Sequence, residues 1–362
     1  MKPLALVLLA TLVALAPASA QPAPDPMDAW QTLPTDAYPG KRDDIVFADA
    51  THGWYGTGKG DLYATQDGGE HWEKRASKPG TFIRALGFID DRVGYIGNVG
   101  VGYYPGVTDT VPLYRTDDGG KSWSAVTVNG PAVAGICAID ILRTSRIYQG
   151  TLVKHTIITA AGRVGGPAGI IRSTDDGKSW QSIDMSRWAG MILDVHFVDE
   201  RTGFVAAASS TDVQAANALI LMTRDGGASW SEVYRSKRPL ELIWKMAWPS
   251  RDTGYGTVMS YDENNPHKMV IKTVDGGKSW QELPLVDNGK AVELGIGFVD
   301  TLHGWVGTTI GGFKTNDGGK SFTPSPIARA ANKFRIVPQA AGGVRVYAIG
   351  TAVQRLDAAA AR

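Results

Sequence analysis

Apolar and polar positions change places in short bursts along this chain, and turns containing Gly and Asp separate the bursts. One cycle shows the pattern. An apolar run ending at Phe88 predicts a strand. Asp90 to Gly94 predicts a turn, with Asp90 capping its own backbone and Gly94 supplying a positive φ. Gly94-Tyr95-Ile96-Gly97 predicts a second strand and Leu113-Tyr114-Arg115-Thr116 a third. A tight turn at Asp118-Gly119-Gly120 leads to a fourth strand over residues 122–126. A four-stranded unit of about 50 residues cannot bury both of its faces alone, so such units must stack on one another.

The cycle repeats. An octapeptide of the form S/T-x-D-x-G-x-S-W occurs six times, with its Asp residues 51, 57, 50, 50 and 42 positions apart. The copies contain Asp67 and Trp72, Asp118 and Trp123, Asp175 and Trp180, Asp225 and Trp230, Asp275 and Trp280, and Asp317 with Phe322 in place of Trp. In each box the Asp carboxylate is placed to accept bonds from its own turn, and the aromatic ring to pack between sheets, so these residues read as structural. A second element precedes the boxes: an aromatic, one residue, an Asp, then Gly-aromatic four residues later. It is seen at Phe47…Gly53-Trp54, Phe88…Gly94-Tyr95, Phe197…Gly203-Phe204 and Phe298…Gly304-Trp305. Trp248…Gly254-Tyr255 has Ser250 for Asp, and Ala138-Ile139-Asp140 is a degraded copy.

The ends set the count. Residues 333–356 supply three strands without a box, while Ala29-Trp30-Gln31-Thr32-Leu33 reads as an orphan fourth strand carrying its Trp. Pairing the orphan into the last sheet closes a ring and removes an open edge. The prediction is an all-β chain forming a single seven-bladed β-propeller over residues 28–357, with a six-bladed ring plus a stray unit as the alternative. Residues 21–27 are then a linker and 358–362 a disordered tail. A closed ring has no free strand edge, so a monomer is expected.

Lys2 followed by an apolar stretch to Ala16 and by Ala18-Ser19-Ala20 predicts an export signal cleaved after Ala20, and hence a periplasmic or secreted protein. No later stretch approaches the roughly 18 apolar residues of a membrane span. From Gln21 onward the chain carries 36 basic and 36 acidic side chains, a balance that argues against nucleic-acid binding by bulk electrostatics. Cys137 is the single cysteine and lies in an apolar run, so neither a disulfide nor a Cys-based cluster is available. The six His residues lack ligand spacing, and no nucleophile elbow or dinucleotide fingerprint is present. No metal and no cofactor is expected.

In a propeller the boxes and first-to-second turns share one face, and the second-to-third loops lie on the other. The loops vary: blade two inserts residues 99–111 with Tyr103 and Tyr104, and blade three residues 151–169 with His155 and Arg163. Blade four inserts residues 209–217, and blade five residues 260–268 with Tyr261, Asp262, Glu263 and His267. Variable loops on a rigid scaffold are where ligands and partners bind. Asp43, Asp44, Arg84, Asp194, Lys245, Glu293 and Lys333, at the starts of inner strands with Trp244 beside them, add a charged ring at the channel mouth. Asp194 and Glu293 are the candidate carboxylates if the chain cleaves glycosides, which requires two acids across a cleft.

The box resembles the Asp-box, or BNR, repeat of sialidases, xyloglucan-active hydrolases and sortilin-type receptors. The longer unit resembles the exported photosystem II stability/assembly-factor-like family and its relatives in non-photosynthetic bacteria, over nearly the whole chain after the signal. That resemblance implies a seven-bladed propeller that binds a protein partner, with a non-catalytic role in assembling or stabilising an envelope complex. The arginine triad and Arg-Ile-Pro motif of a sialidase are missing, Arg84 being the one arginine expected at an inner-strand position. A glycan ligand, bound or cleaved, is the alternative.

Overall fold

The structure is a computed structural model that describes residues 25–148 and 151–358. The predicted export signal and the end of the predicted tail lie outside the described residues. Among these residues, 28 strands form seven four-stranded antiparallel sheets. The innermost strands are Asp44–Phe47, Ile83–Phe88, Ala138–Tyr148, Met191–Phe197, Glu241–Ala247, Gly295–Phe298 and Lys333–Pro338. Each packs against the next, and the last packs against the first, so the ring is closed. The chain is a seven-bladed β-propeller. As the orphan Trp30 segment predicted, Gln31–Thr32 pairs with Val353–Ala358 as the outer strand of blade seven. Trp30 packs edge-on against Trp305 of blade six, with ring centroids 5.5 Å apart.

Each box is a closed hydrogen-bonded unit. In the second copy, Thr116 donates its hydroxyl to Asp118 Oδ1 at 2.8 Å, and the amides of Lys121 and Ser122 donate to the same oxygen at 2.9 Å. Ser122 Oγ donates to Asp118 Oδ2 at 2.6 Å, and Trp123 Nε1 donates to the Gly120 carbonyl at 3.0 Å. Gly119 and Gly120 sit at φ 73° and 92°, where a side chain would be strained. The Ser122 hydroxyl is the leading cause of a depressed Asp118 pKa, about 2. The other five box carboxylates are also lowered to about 2.

The recurrent Gly-aromatic element has a different physical basis from the predicted one. Asp90 does cap its turn, accepting from the amides of Arg92 and Val93 at 2.9 and 2.6 Å. Gly94, however, is a strand residue and does not have a positive φ. The Phe88 ring lies flat on it: a Cβ at Gly94 would stand 2.5 Å from the ring, and one at Gly254 would stand 2.7 Å from Trp248. The glycine is needed for space. The aromatic after it then reaches the neighbouring blade. Trp54 stacks on Phe88 at 3.6 Å, and Tyr255 on Phe298 at 3.7 Å. Trp54 Nε1 also donates to Gly119 O in the next blade's box at 3.0 Å.

Blade three departs from the expected layout. Its first two strands, Ala138–Tyr148 and Thr151–Gly162, form a long hairpin in register from Ala138↔Ala161 to Tyr148↔Thr151. The extra residues extend the first-to-second connection, on the box face, and residues 163–168 are all that joins the second strand to the third. The predicted loop over 151–169 is therefore mostly strand. Ile141, Thr144, Ile147, Val153, Thr156, Ile157 and Ile158 are β-branched, and no Gly-aromatic pair ends the run. Asp140, the degraded copy, caps no turn: it takes the Phe197 amide of blade four at 3.1 Å.

Candidate functional site

The charged ring at the channel mouth is sealed. Trp244 lies across it with its Nε1 donating to Asn332 Oδ1 at 2.6 Å, and Asn332 Nδ2 donates to Asp43 O at 3.0 Å. The cations of Arg84, Lys41 and Lys245 lie 5.2, 5.5 and 6.0 Å from the Trp244 ring. Arg84 is ion-paired with Asp43, and both are buried. Burial works against the Asp43 charge, but Arg84 and Lys41 outweigh it and hold the carboxyl below its ordinary value. Lys41 also pairs with Glu293 at 3.2 Å.

Several of these residues staple one blade to the next. Asp44 Oδ2 accepts the Leu86 amide of blade two at 2.8 Å, and Asp194 Oδ2 accepts the Met246 amide of blade five at 3.0 Å. Lys333 Nζ of blade seven reaches Asp194 Oδ1 at 3.2 Å. Although burial opposes it, the charges of Lys333 and Lys245 keep Asp194 below its ordinary carboxylate value. Lys245 is fully enclosed, with its Nζ on Leu193 O at 2.9 Å, and burial draws its pKa down to about 7. Arg335 also lies on an inner strand. It is spent between blades, on Ile45 O at 2.7 Å and Asp44 Oδ1 at 2.9 Å. Glu293 sits at φ 57°, but Leu240 and Ala330 share that conformation in the neighbouring crossings, so it belongs to the crossing and marks no site by itself.

Above the seal, the loop face gathers aromatics. Tyr103 is 40% exposed and Tyr261 36%, on the loops that follow the second strands of blades two and five. Tyr104 packs on Phe82 with ring centroids 4.7 Å apart. The loops of blades two and three are clasped: Arg163 donates to Gly166 O at 2.7 Å, to Val99 O at 3.1 Å and to Val101 O at 2.6 Å, and Tyr103 lies against Gly165. Arg163 thus holds the platform that carries Tyr103. Beside Tyr261 opens a cavity of about 600 Å³, lined by Ser260, Asp262, Glu263, Lys290 and Val292. His267 pairs with Asp287 at 2.7 Å at the rim.

The sequence-predicted set therefore divides. Tyr103, Tyr104, Arg163, Tyr261, Asp262, Glu263 and His267 belong to the loop face. Arg84, Trp244 and Lys245 lie beneath it, buried. His155 is a correction: the long hairpin carries it to the opposite, box face, where it lies 3.6 Å from Asp176. The apolar contributors Val101 and Ile310, 39% and 38% exposed, were not anticipated, because an exposed aliphatic residue carries no motif. Among the described residues no group of three or more His, Cys, Asp and Glu is placed to hold a metal, and no helix is long and apolar enough to cross a membrane.

Fold and site together define an Asp-box propeller with an elaborated loop face. The BNR/Asp-box repeat family matches residues 114–125. A comparison with curated proteins finds no match. In fold, the chain is similar to YCF48 bound to D1 peptide, with TM-score 0.60 and 17% identity, over 93% of this chain and 99% of that one. It is similar to YCF48 from Cyanidioschyzon merolae, with TM-score 0.60 and 18% identity, over 91% and 98% of the two chains. It is also similar to the GH74 enzyme of Niastella koreensis, with TM-score 0.56 and 14% identity, over 86% of this chain and 51% of the enzyme.

Proposed function

We propose that this chain is an exported, non-catalytic β-propeller that binds a protein partner on its loop face and serves in assembling or stabilising an envelope complex. The observation that carries the reading is the presence on one face of two half-exposed aromatics, Tyr103 on a loop clasped by Arg163 and Tyr261 on the blade-five loop beside a cavity of about 600 Å³, above a channel that side chains have sealed. Half-exposed tyrosines on a rigid support are what protein interfaces use as anchors. The fold neighbour YCF48 bound to D1 peptide supports a peptide or protein ligand for this architecture.

Glycoside cleavage, the competing reading, draws on the GH74 fold neighbour. It needs one carboxyl with a raised pKa facing a second across an open cleft. Asp194 is buried, charged and held by Lys333 and the Met246 amide, and Glu293 is paired with Lys41. Both candidates are engaged in structure.

The test is a crosslinked capture from cell envelopes with the mature protein and a variant lacking residues 260–268. One envelope complex enriched by the wild type and lost in a folded loop variant is the expected result. Retention of glycan with no specific protein would overturn the reading.

A further inference from the structure

The blade-three hairpin leaves the body of the propeller. At Leu142 it is still packed on the core, and at Thr144 its hydroxyl meets Glu200 Oε1 of blade four at 3.0 Å. Ile147 is three residues further on, about 10 Å of extended strand, and about 17 Å past Leu142. Here the burial pattern reverses. Ile147 is 76% exposed, Leu152 61% and Val153 43%.

The register places these residues. Ile147 lies directly opposite Leu152, so the two share one face of the ribbon. Val153 lies opposite Arg146 and so occupies the other face. A ribbon that docks flat on a protein needs one apolar face. Apolar residues on both faces, confined to the last residues of a projecting ribbon, suit entry tip-first into an apolar medium.

Charge agrees. No Asp or Glu occurs in the hairpin past Asp140, residues 141–162, which carries Arg143, Arg146 and Lys154. Lys154, next to Val153, is exposed. The nearby acids Glu200 and Asp176 sit at the base: Glu200 takes Thr144, and Asp176 takes the Thr156 amide at 2.7 Å. The tip stands about 10 Å of extended strand beyond Thr144, about one Debye length at 0.1 M salt, so those carboxylates act on a surface met by the tip more weakly than Lys154 does.

We propose that the tip of this hairpin, through Ile147, Leu152 and Val153 with Lys154 at their edge, docks the propeller on an anionic lipid surface. A few aliphatic side chains and one or two cations give weak, reversible attachment that falls with salt. The contact lies on the face opposite the loop face, so it would orient Tyr103 and Tyr261 away from the bilayer.

The test is vesicle flotation with the mature protein. The wild type should float with vesicles of phosphatidylglycerol and phosphatidylcholine at 50 mM salt, and markedly less at 500 mM salt or with phosphatidylcholine alone. The Ile147→Ser, Leu152→Ser, Val153→Ser triple variant should lose at least fivefold of the floated fraction while keeping the wild-type melting temperature, because all three side chains are exposed. Lys154→Glu should lose part of it. Equal flotation of wild type and triple variant would overturn the proposal. So would no flotation of the wild type, including the case in which the triple variant instead loses a protein captured from envelopes.

Discussion

Lys333 Nζ lies 3.2 Å from Asp194 Oδ1, joining an inner strand of blade seven to one of blade four across the axis of the ring. The other carboxylate oxygen holds the Met246 amide of blade five at 3.0 Å. One carboxylate thus ties three blades together.

Removing it leaves the largely enclosed Lys333 cation, its side chain 11% exposed, and the Met246 amide without an acceptor. Asp194→Ala should lower unfolding stability by about 3 kcal/mol, the scale for breaking one side of a buried pair. Asp194→Ala with Lys333→Met should recover part of that loss. Denaturant unfolding of both variants checks this, and an unchanged midpoint for Asp194→Ala would contradict it.

Lys245 gives a pH signature. Burial draws its folded pKa down to about 7, below the 10.5 of an exposed lysine. Between those values the unfolded chain binds the extra proton, so this group adds stability as pH rises. Wild-type stability relative to Lys245→Met should therefore increase from pH 7 to pH 9, and parallel curves for the two proteins would refute it.

The boxes act at the other end of the scale. Six Asp side chains lowered to about 2 from the ordinary 3.8 contribute stability that is fully present above the unfolded value. It is lost as pH falls through the folded one. Unfolding midpoints should drop steeply between about pH 4 and pH 2. Asp118→Asn should shallow the drop, because an amide keeps one acceptor oxygen but loses the charge.

Gly94 tests the packing of the recurrent Gly-aromatic element. With the Phe88 ring where a Cβ would go, Gly94→Ala should cost about 1–3 kcal/mol. Adding Phe88→Leu should make the Ala less costly than it is beside Phe88, measured as a double-mutant cycle. An additive cycle would show that the ring is not the obstacle.

Much of this molecule is legible in its sequence, because a repeat states the same physics several times. The six boxes, and the Trp30 segment that closes the ring, could be read from residue types alone. What escaped was relational. The glycine of Gly94-Tyr95 looks like a turn residue until the Phe88 ring is seen lying on it. His155 reads from the sequence as a residue of the second-to-third loop, and only the hairpin register puts it on the box face. The inner-strand charges looked like an open polar ring, yet Trp244, Asn332 and Asp43 close it, and no spacing rule links positions 43, 244 and 332.

Photo-crosslinking in intact cells tests the partner-binding reading most directly. A photoreactive residue would be placed at Tyr103 or Tyr261 on the loop face, and as a control at Val274, which is 67% exposed in a box on the opposite face. The same envelope protein crosslinked from Tyr103 and Tyr261, and not from Val274, is the predicted result. Crosslinks to that protein from Val274 alone, or none from either tyrosine, would contradict a partner on the loop face.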